Sequence, residues 1–243
     1  MGTHQPTRVA SHTLPALTTP GRRRHPDADM VLVTGDCVHA YPLDEGYEPE
    51  GEDAYRLLRS LVEARFAAAF VRAVPGNHDS RAALSAVFPE SLGGGAAPAP
   101  PEGLHCFAEL CGGWLVLGCD SQSGDPQDPA SEGDMSPPQL AWVRRVVSMR
   151  TPPPPCPTPL RSPGPVRCRR QLDAHPGTPA IICLHHPPIE GTESFTDSGA
   201  REIEALVAEN AQVKAVVAGH IHHDYNAFLG DVPLLATPSC VFQ

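Results

Sequence analysis

The chain has 243 residues, of which 41% are hydrophobic, and its formal net charge is -10 at pH 7. A chain of this length can bury one substantial core, but it has no uninterrupted apolar stretch of the roughly 20 residues that a membrane-spanning helix needs. The composition excludes such a helix and is compatible with a single α/β domain.

Two basic segments stand apart from an acidic body. Residues 1–26 contain four arginines and no acid, and "TPPPPCPTPLRSPGPVRCRR" at 151–170 contains four arginines, eight prolines and no acid. Proline fixes φ and removes a backbone donor, so we predict a disordered excursion over 151–179 and a disordered tail over 1–26. The remaining domain, 27–243, is strongly acidic, so we expect no nucleic acid among its partners.

The cysteines indicate a reducing compartment. All eight are scattered along the chain without a CxxC pair, which favours a cytoplasmic protein with core thiols over a secreted one. The tail resembles an organelle transit peptide in composition, so an organelle stays open as an alternative.

Apolar runs alternate with helical patterns along the chain. "MVLVTGD" at 30–36 and "FVRAVPGNHD" at 70–79 predict strands, and the apolar spacing over 52–69 predicts a crossover helix between them. Further strands are predicted at 114–120, 180–186 and 213–220, with a helix over 200–210. Residues 224–239 predict a hairpin turning at Gly230 and Asp231. The acidic stretches 41–51 and 124–135 are predicted to be irregular loops.

Four of these runs end in side chains that can bind metals: Asp36; Asn77, His78 and Asp79; His185 and His186; His220 and His222. Ligands of open α/β sheets bind outside the carboxyl ends of strands, so we expect these groups to converge. Carboxylate, amide and imidazole donors without a thiolate suit Mn, Fe or Zn better than Ca or a cysteine-based structural zinc.

Each cluster also has a structural interpretation. Asp36 could be a turn or helix-cap residue, and the residues 77–79 could form an ordinary turn. The imidazoles at 185–186 could bond to backbone before two prolines, and those at 220–222 could be an exposed strand end. All four interpretations would have to hold together, which favours a shared metal site.

The motifs "VLVTGDCVH", "VPGNHD", "LHHPP" and "VVAGHIH" resemble, in order and spacing, those of the calcineurin-like metallophosphoesterases. "GDMSPPQLAWVRRVV" and "LLATPSC" are similar to the cyclic-nucleotide (3',5'-cAMP) phosphodiesterase branch of that family. The resemblance implies a four-layer sandwich of two mixed sheets flanked by helices. It also implies two divalent or trivalent metal ions of the Fe, Mn or Zn type at the strand ends.

The resemblance assigns roles to these residues. Asp36 would bridge the two metals, and His222 would bind the first metal. The second metal would be completed by Asn77, His185 and His220. His78 would be the catalytic residue facing the substrate, and Asp79 and His186 would support the ligands from behind.

One family motif has no counterpart. The Asp-x-His that ends the family's first strand is absent before Asp36, and the only Asp-x-His in the chain is "DAH" at 173–175, which follows no apolar run. The first strand is therefore predicted to be missing or replaced, and the first metal keeps only Asp36 and His222. We expect weak activity or none. An incomplete reading frame, an unusual splice form and a degenerate homologue remain alternative explanations.

These observations lead to three hypotheses of function. The first is a metal-dependent phosphoric diester hydrolase acting on a small phosphodiester such as a 3',5'-cyclic nucleotide, with impaired activity. The second is a catalytically inactive phosphoesterase-like domain that binds a nucleotide or a protein. The third is a largely disordered Pro/Arg-rich interaction protein. No membrane partner is expected, and the oligomeric state is open.

Overall fold

The structure is a computed structural model that describes residues 28–38, 52–67, 69–93, 98–125, 128–149, 177–192 and 194–238. The N-terminal tail and most of the proline-rich excursion lie outside these residues, so both disorder predictions, and the domain boundaries drawn from them, stay predictions. In the part of the chain that is described, no helix has the length and apolar character needed to cross a membrane.

The first described elements form a βαβ unit, as predicted. Strand β1 (Met30–Val33) and strand β2 (Phe70–Ala73) pair in parallel, and helix α1 (Glu52–Arg65) connects them. Acidic residues in the first turn of α1 and Arg65 in its last turn suit the helix dipole. The helix ends four residues earlier than its apolar pattern suggested.

A short helix follows β2 and closes this half of the molecule. Helix α2 (Arg81–Val87) begins at Ser80, whose hydroxyl accepts a hydrogen bond from the amide of Ala83, an N-cap that satisfies one unpaired donor. A 3-10 turn (Pro89–Ser91) comes directly after it. Buried side chains of both helices pack with β2 into one apolar cluster, and partly buried residues of β1 lie against it.

The second half of the chain contributes the large sheet. Its elements are β3 (Phe107–Cys111), β4 (Trp114–Gly118), β5 (Gln122–Asp125), β6 (Asp128–Gly133), α3 (Pro137–Val147), β7 (Ala180–Cys183), α4 (Asp197–Glu209), β8 (Val213–Ala218), β9 (Tyr225–Leu229) and β10 (Val232–Ala236). Six strands form a mixed sheet in the order β3-β4-β7-β8-β10-β9, and β5 and β6 pair separately. Strands β4, β7, β8 and β10 run parallel, so their carboxyl ends share one edge.

These elements stack in four layers. Helices α3 and α4 cover one face of the six-stranded sheet and form the largest core cluster with it. On the opposite face, Val74, Met30 and Leu32 of the β1–β2 region pack against Phe107, Val116 and Cys183. Helices α1 and α2 cover the outer side of β1 and β2. The predicted four-layer α/β sandwich is therefore confirmed.

Three details differ from the expectations. Strand β3 was not predicted, and β5 and β6 occupy much of the stretch 124–135 that was assigned to an irregular loop. The smaller of the two stacked sheets is a parallel pair, rather than a mixed sheet, among the described residues. Strand β1 is the first strand within the described residues, and the segment before residue 28 lies outside them.

A buried ion pair links the two sheets. Arg72 on β2 contacts Glu109 on β3, with Nη2 and Oε1 2.7 Å apart and Nε and Oε2 2.5 Å apart. Both side chains are less than a tenth exposed, at 6% and 8%. Two charges removed from water in this way stabilise the fold only as long as they remain paired.

Breaking this pair should destabilise the protein strongly. Glu109→Ala leaves the guanidinium of Arg72 buried without its carboxylate, and we expect the free energy of unfolding to fall by about 3–5 kcal/mol. Urea denaturation measures the change. The matched control is Arg201→Ala, which removes the exposed ion pair with Glu190 and should cost less than about 1 kcal/mol. Equal losses in the two variants would contradict a special role for the buried pair.

Candidate metal centre

Two loops approach each other closely where β1 and β2 end. A Cβ atom on Gly76 would lie 2.2 Å from Asp36 Oδ1, and one on Gly35 would lie 2.6 Å from the backbone nitrogen of Gly76. Gly35 also has a φ of +92°, which side chains rarely allow. Only glycine at both positions lets the loops meet at this distance, and the contact brings Asp36 next to the 76–79 loop.

The ring of His185 lies at the centre of the site. Its Nδ1 atom is 2.6 Å from the carbonyl oxygen of Thr34, so Nδ1 carries the proton that this bond requires and Nε2 points the other way. Nε2 lies 3.1 Å from Asn77 Oδ1, 3.2 Å from Asp36 Oδ2 and 3.2 Å from His220 Nδ1. Three loops therefore place donor atoms around one point.

The separations between these atoms fit a metal ion. Donors that each lie about 2.1 Å from one transition-metal ion are about 3.0–3.4 Å from one another. Ligand atoms of His185, His186 and His220 also lie within 4.8 Å of one another. The buried Nε2 of His186 has no hydrogen-bond partner among the described residues. Nitrogen and oxygen donors without a thiolate match the metals expected from the sequence.

Backbone strain is concentrated at the same residues. Among the described residues, the non-glycine positions with positive φ are Asp36 at 51°, His220 at 67° and His222 at 57°. The left-handed region is uncommon for residues with a side chain, and such strain persists where the surroundings impose it, often at functional sites. All three residues belong to the ligand set expected from the sequence.

Electrostatics at the site favour a cation. Burial alone would raise the pKa of Asp36, but the charge of His185 and a hydrogen bond to it outweigh burial and hold the pKa below its usual range. Burial likewise lowers the pKa of His185, but the carboxylate of Asp36 outweighs it, and the pKa is raised. The carboxylate thus attracts positive charge to this position, either a proton on His185 or a metal ion.

The neighbouring imidazoles are neutral at pH 7. Burial, with a further contribution from His185, lowers the pKa of His220 to about 4. Burial and the same neighbour lower the pKa of His186 well below its usual value. Neutral imidazole is the form that binds a metal ion, because the coordinating lone pair must not carry a proton.

 Asp79 accepts hydrogen bonds from the amides of Gly76 and Cys37, both at 2.9 Å, and so ties the two glycine-containing loops together. Burial and the nearby charge of Asp36 raise its pKa to about 7. His186 is held by Ser121, whose hydroxyl lies 2.9 Å from Nδ1 and accepts from the backbone amide at 3.1 Å.

The two remaining predicted residues, His78 and His222, lie beside these ligands. His78 is half-buried, and its backbone amide donates to Asp36 Oδ1 at 3.1 Å. His222 is exposed, and its charge contributes to the lowered pKa of His220. The structure thus brings Asp36, Asn77, His185 and His220 into direct contact, with His78 and His222 beside them. The alternative Asp-x-His at 173–175 lies outside the described residues.

Sequence reasoning missed three residues that surround this site. Asp120 is buried and paired with Arg81, with Oδ2 and Nε 2.6 Å apart, and Gln122 is buried beside them. The signal that identified Asp36 also applied to Asp120, since "WLVLGCD" is an apolar run that ends in an acid. For Arg81 and Gln122, no comparable pattern exists in the sequence.

Several curated proteins are similar to this chain. A 3',5'-cyclic-nucleotide phosphodiesterase of Nostoc is 25% identical over 222 residues, which are 90% of this chain and 65% of that protein. A cAMP/cGMP dual specificity phosphodiesterase of Mycobacterium tuberculosis is 29% identical, and the matched region covers 88% of this chain and 55% of that protein. The chain therefore spans about 55–65% of the length of these relatives.

A solved structure and a family model agree with this similarity. The structure of a dimetal phosphatase from Danio rerio matches this chain with a TM-score of 0.54 and 13% sequence identity. The match covers 90% of this chain and 74% of the phosphatase chain, and it shows a similarity of fold alone. The model of the calcineurin-like phosphoesterases matches residues 8–224. That match includes every element from β1 to β8 and each of the converging residues, and the chain belongs to the calcineurin-like phosphoesterase family.

Proposed function

We propose that this chain is a metal-dependent phosphodiesterase whose metal ion is held by Asp36, Asn77, His185 and His220. One observation carries the proposal: Nε2 of His185 lies within 3.2 Å of donor atoms from the other three residues. The relatives named as cyclic-nucleotide phosphodiesterases support a small cyclic phosphodiester as substrate. The net charge of -10 argues against a nucleic acid in that role.

The ligands have distinct tasks in this proposal. Asp36 supplies the negative charge, and Asn77 offers its carbonyl oxygen. The neutral ring of His220 supplies a nitrogen lone pair, and His185 supplies one once the ion has displaced the proton from its Nε2 atom. The hydrogen bond from Nδ1 of His185 to Thr34 holds the ring so that Nε2 faces the ion. When bound, a divalent ion of the Fe, Mn or Zn type supplies charge that stabilises the phosphoryl oxygens and makes water nucleophilic at neutral pH.

A second ion would share Asp36 and take His222, as in the two-metal arrangement of the family. His222 is exposed, in contrast to the buried Asn77 and His185. Two protein ligands hold a transition metal less tightly than four. We therefore expect the site around His185 to fill first and the site at His222 to fill at higher metal concentrations.

In this proposal, His78 acts on the substrate. Its backbone amide donates a hydrogen bond to Asp36 Oδ1, so the half-buried residue lies directly beside the proposed ligands. In hydrolysis, a water oxygen forms a bond to phosphorus and one ester P–O bond breaks. The leaving alkoxide then needs a proton, and the imidazole of His78 in its protonated form would donate it.

Replacing the carboxylate tests the whole proposal. Asp36→Asn keeps the size of the side chain and removes its charge, so hydrolysis of bis(p-nitrophenyl) phosphate should fall by more than about 100-fold. Mn²⁺ binding, measured by calorimetry, should weaken in parallel. Asp231→Asn, an exposed carboxylate in the β9–β10 turn, is the matched control and should leave both properties unchanged. Wild-type turnover in Asp36→Asn would exclude the site.

A wild-type chain that binds Mn²⁺ without hydrolysing any phosphodiester would contradict the enzymatic proposal in a different way. It would favour the inactive phosphoesterase-like domain, because the donor set would be intact and the catalysis absent. Titration with 3',5'-cyclic AMP would then show whether such a domain still binds a nucleotide.

Replacing His78 separates catalysis from metal binding. His78→Ala removes the proposed proton donor but none of the four ligands, so kcat should fall by about 100- to 10,000-fold. Metal content, measured by elemental analysis after gel filtration, should stay close to that of the wild type. The matched control is His223→Ala, an exposed imidazole near the site, which should keep its activity. Loss of bound metal in His78→Ala would make His78 a ligand instead of an acid.

A further inference from the structure

A side chain from a distant part of the sequence holds the loop that carries Asn77 and His78. Gln122, the first residue of β5, is 8% exposed. Its Nε2 donates to the carbonyl oxygens of Gly76 and Asp79, both at 3.0 Å. These two carbonyls flank the candidate ligand and the candidate acid, so one amide group connects the beginning and the end of the loop.

Gln122 is itself fixed by an ion pair. Its backbone amide donates to Asp120 Oδ1 at 3.1 Å, and its carbonyl accepts from Arg81 Nη2 at 2.6 Å. Arg81 also donates to both carboxylate oxygens of Asp120, at 2.6 and 3.0 Å. Since Arg81 lies two residues after Asp79, the contacts form a closed ring from the loop through Arg81, Asp120 and Gln122 back to the loop.

This ring connects the loop to the large sheet. Asp120 follows β4 and accepts a further hydrogen bond from the amide of His105 at 3.0 Å. Gln139 on α3 also holds its backbone, with Oε1 2.9 Å from the Asp120 amide. Asp79, in contrast, connects the loop to Cys37 after β1. The loop is therefore held from the β1 side by Asp79 and from the sheet side by Gln122.

We propose that Gln122 is a positioning residue, which sets the 76–79 loop so that Asn77 and His78 face His185 and Asp36. The roles of Asn77 as a ligand and of His78 as an acid rest on the proposed function, whereas the hydrogen bonds that hold the loop do not. Gln122 acts through the loop backbone, with both hydrogens of its amide group bonded to loop carbonyls.

Only a primary amide of this length can make both bonds. A glutamate at 122 accepts hydrogen bonds but cannot donate to a carbonyl when ionised, and a leucine leaves two buried carbonyls without these donors. An asparagine is shorter by one methylene, while its backbone would still be held by Asp120 and Arg81. We therefore expect Gln122→Glu, Gln122→Leu and, more mildly, Gln122→Asn to loosen the loop.

Hydrogen exchange of the metal-free protein tests directly whether the hydrogen bonds of Gln122 hold the loop. Loss of two hydrogen bonds should speed exchange of the 76–79 amides by at least about tenfold in Gln122→Leu, measured by mass spectrometry on peptides covering 74–80. Val146→Ala, a truncation in the core beneath α3, is the control for general destabilisation. It should lower Tm without increasing exchange at the loop selectively. Equal exchange in wild type and Gln122→Leu would overturn the proposal.

Metal binding and kinetics test the positioning. We expect the Mn²⁺ affinity of Gln122→Leu and Gln122→Glu to fall about 10- to 100-fold, as is usual when a group that orients ligands is removed. On bis(p-nitrophenyl) phosphate, kcat should fall with little change in KM. If Gln122→Leu does not fold, Gln122→Asn should show the same pattern to a smaller degree. Val146→Ala should bind Mn²⁺ with the affinity of the wild type at temperatures below its own Tm.

The outcomes separate this proposal from the proposed function. A wild-type chain that binds no Mn²⁺ overturns the proposed metal site, and hydrogen exchange still decides whether Gln122 fastens the loop. A wild-type chain that binds Mn²⁺, with undiminished affinity and kcat in the Gln122 variants, overturns the positioning role alone. Faster exchange at the loop together with weaker binding and lower kcat supports both.

Discussion

The site depends on the hydrogen bond between Nδ1 of His185 and the carbonyl oxygen of Thr34, 2.6 Å long. Without it, the imidazole could rotate and expose either nitrogen to the centre. With it, Nδ1 carries a proton and Nε2 points towards the other donor atoms. The bond also joins the end of β7 to the end of β1, so the two stacked sheets meet at this ring. The donor atoms of Asp36, Asn77 and His220 are all positioned relative to it.

The same region contains buried and partly buried carboxylates and a strained backbone, and a bound cation would offset the cost of both. Asp36 and Asp79 are close enough for each charge to affect the other, and burial raises the cost of keeping both ionised. Three strained residues lie in the left-handed region. A fold selected for stability alone would avoid this arrangement. The arrangement supports the proposed metal site, because an ion bound only by the folded chain stabilises the fold by mass action.

The strands of the fold could be predicted where the sequence was mostly apolar. Strands β1, β2, β7 and β8 are buried or partly buried by neighbouring layers, so their sequences are mostly apolar and are followed by polar residues. Strand β3 was not predicted, and it includes Glu109, whose burial depends on a pairing with Arg72 that only the folded chain shows. Strands β5 and β6, "QSGD" and "DPASEG", have no apolar alternation at all and are defined by pairing with each other.

The clustering of the site residues was predictable because strand ends collect at one edge of a parallel sheet, but the rule cannot decide which polar ends face the pocket. Asp36 and Asp120 both follow apolar strands. Asp120 is neutralised by Arg81, a residue near it in space but distant in sequence, and so serves to hold the backbone. Asp36 faces imidazoles, which can give up their protons. The charge partner, which only the folded chain supplies, therefore separates a candidate ligand from a structural carboxylate.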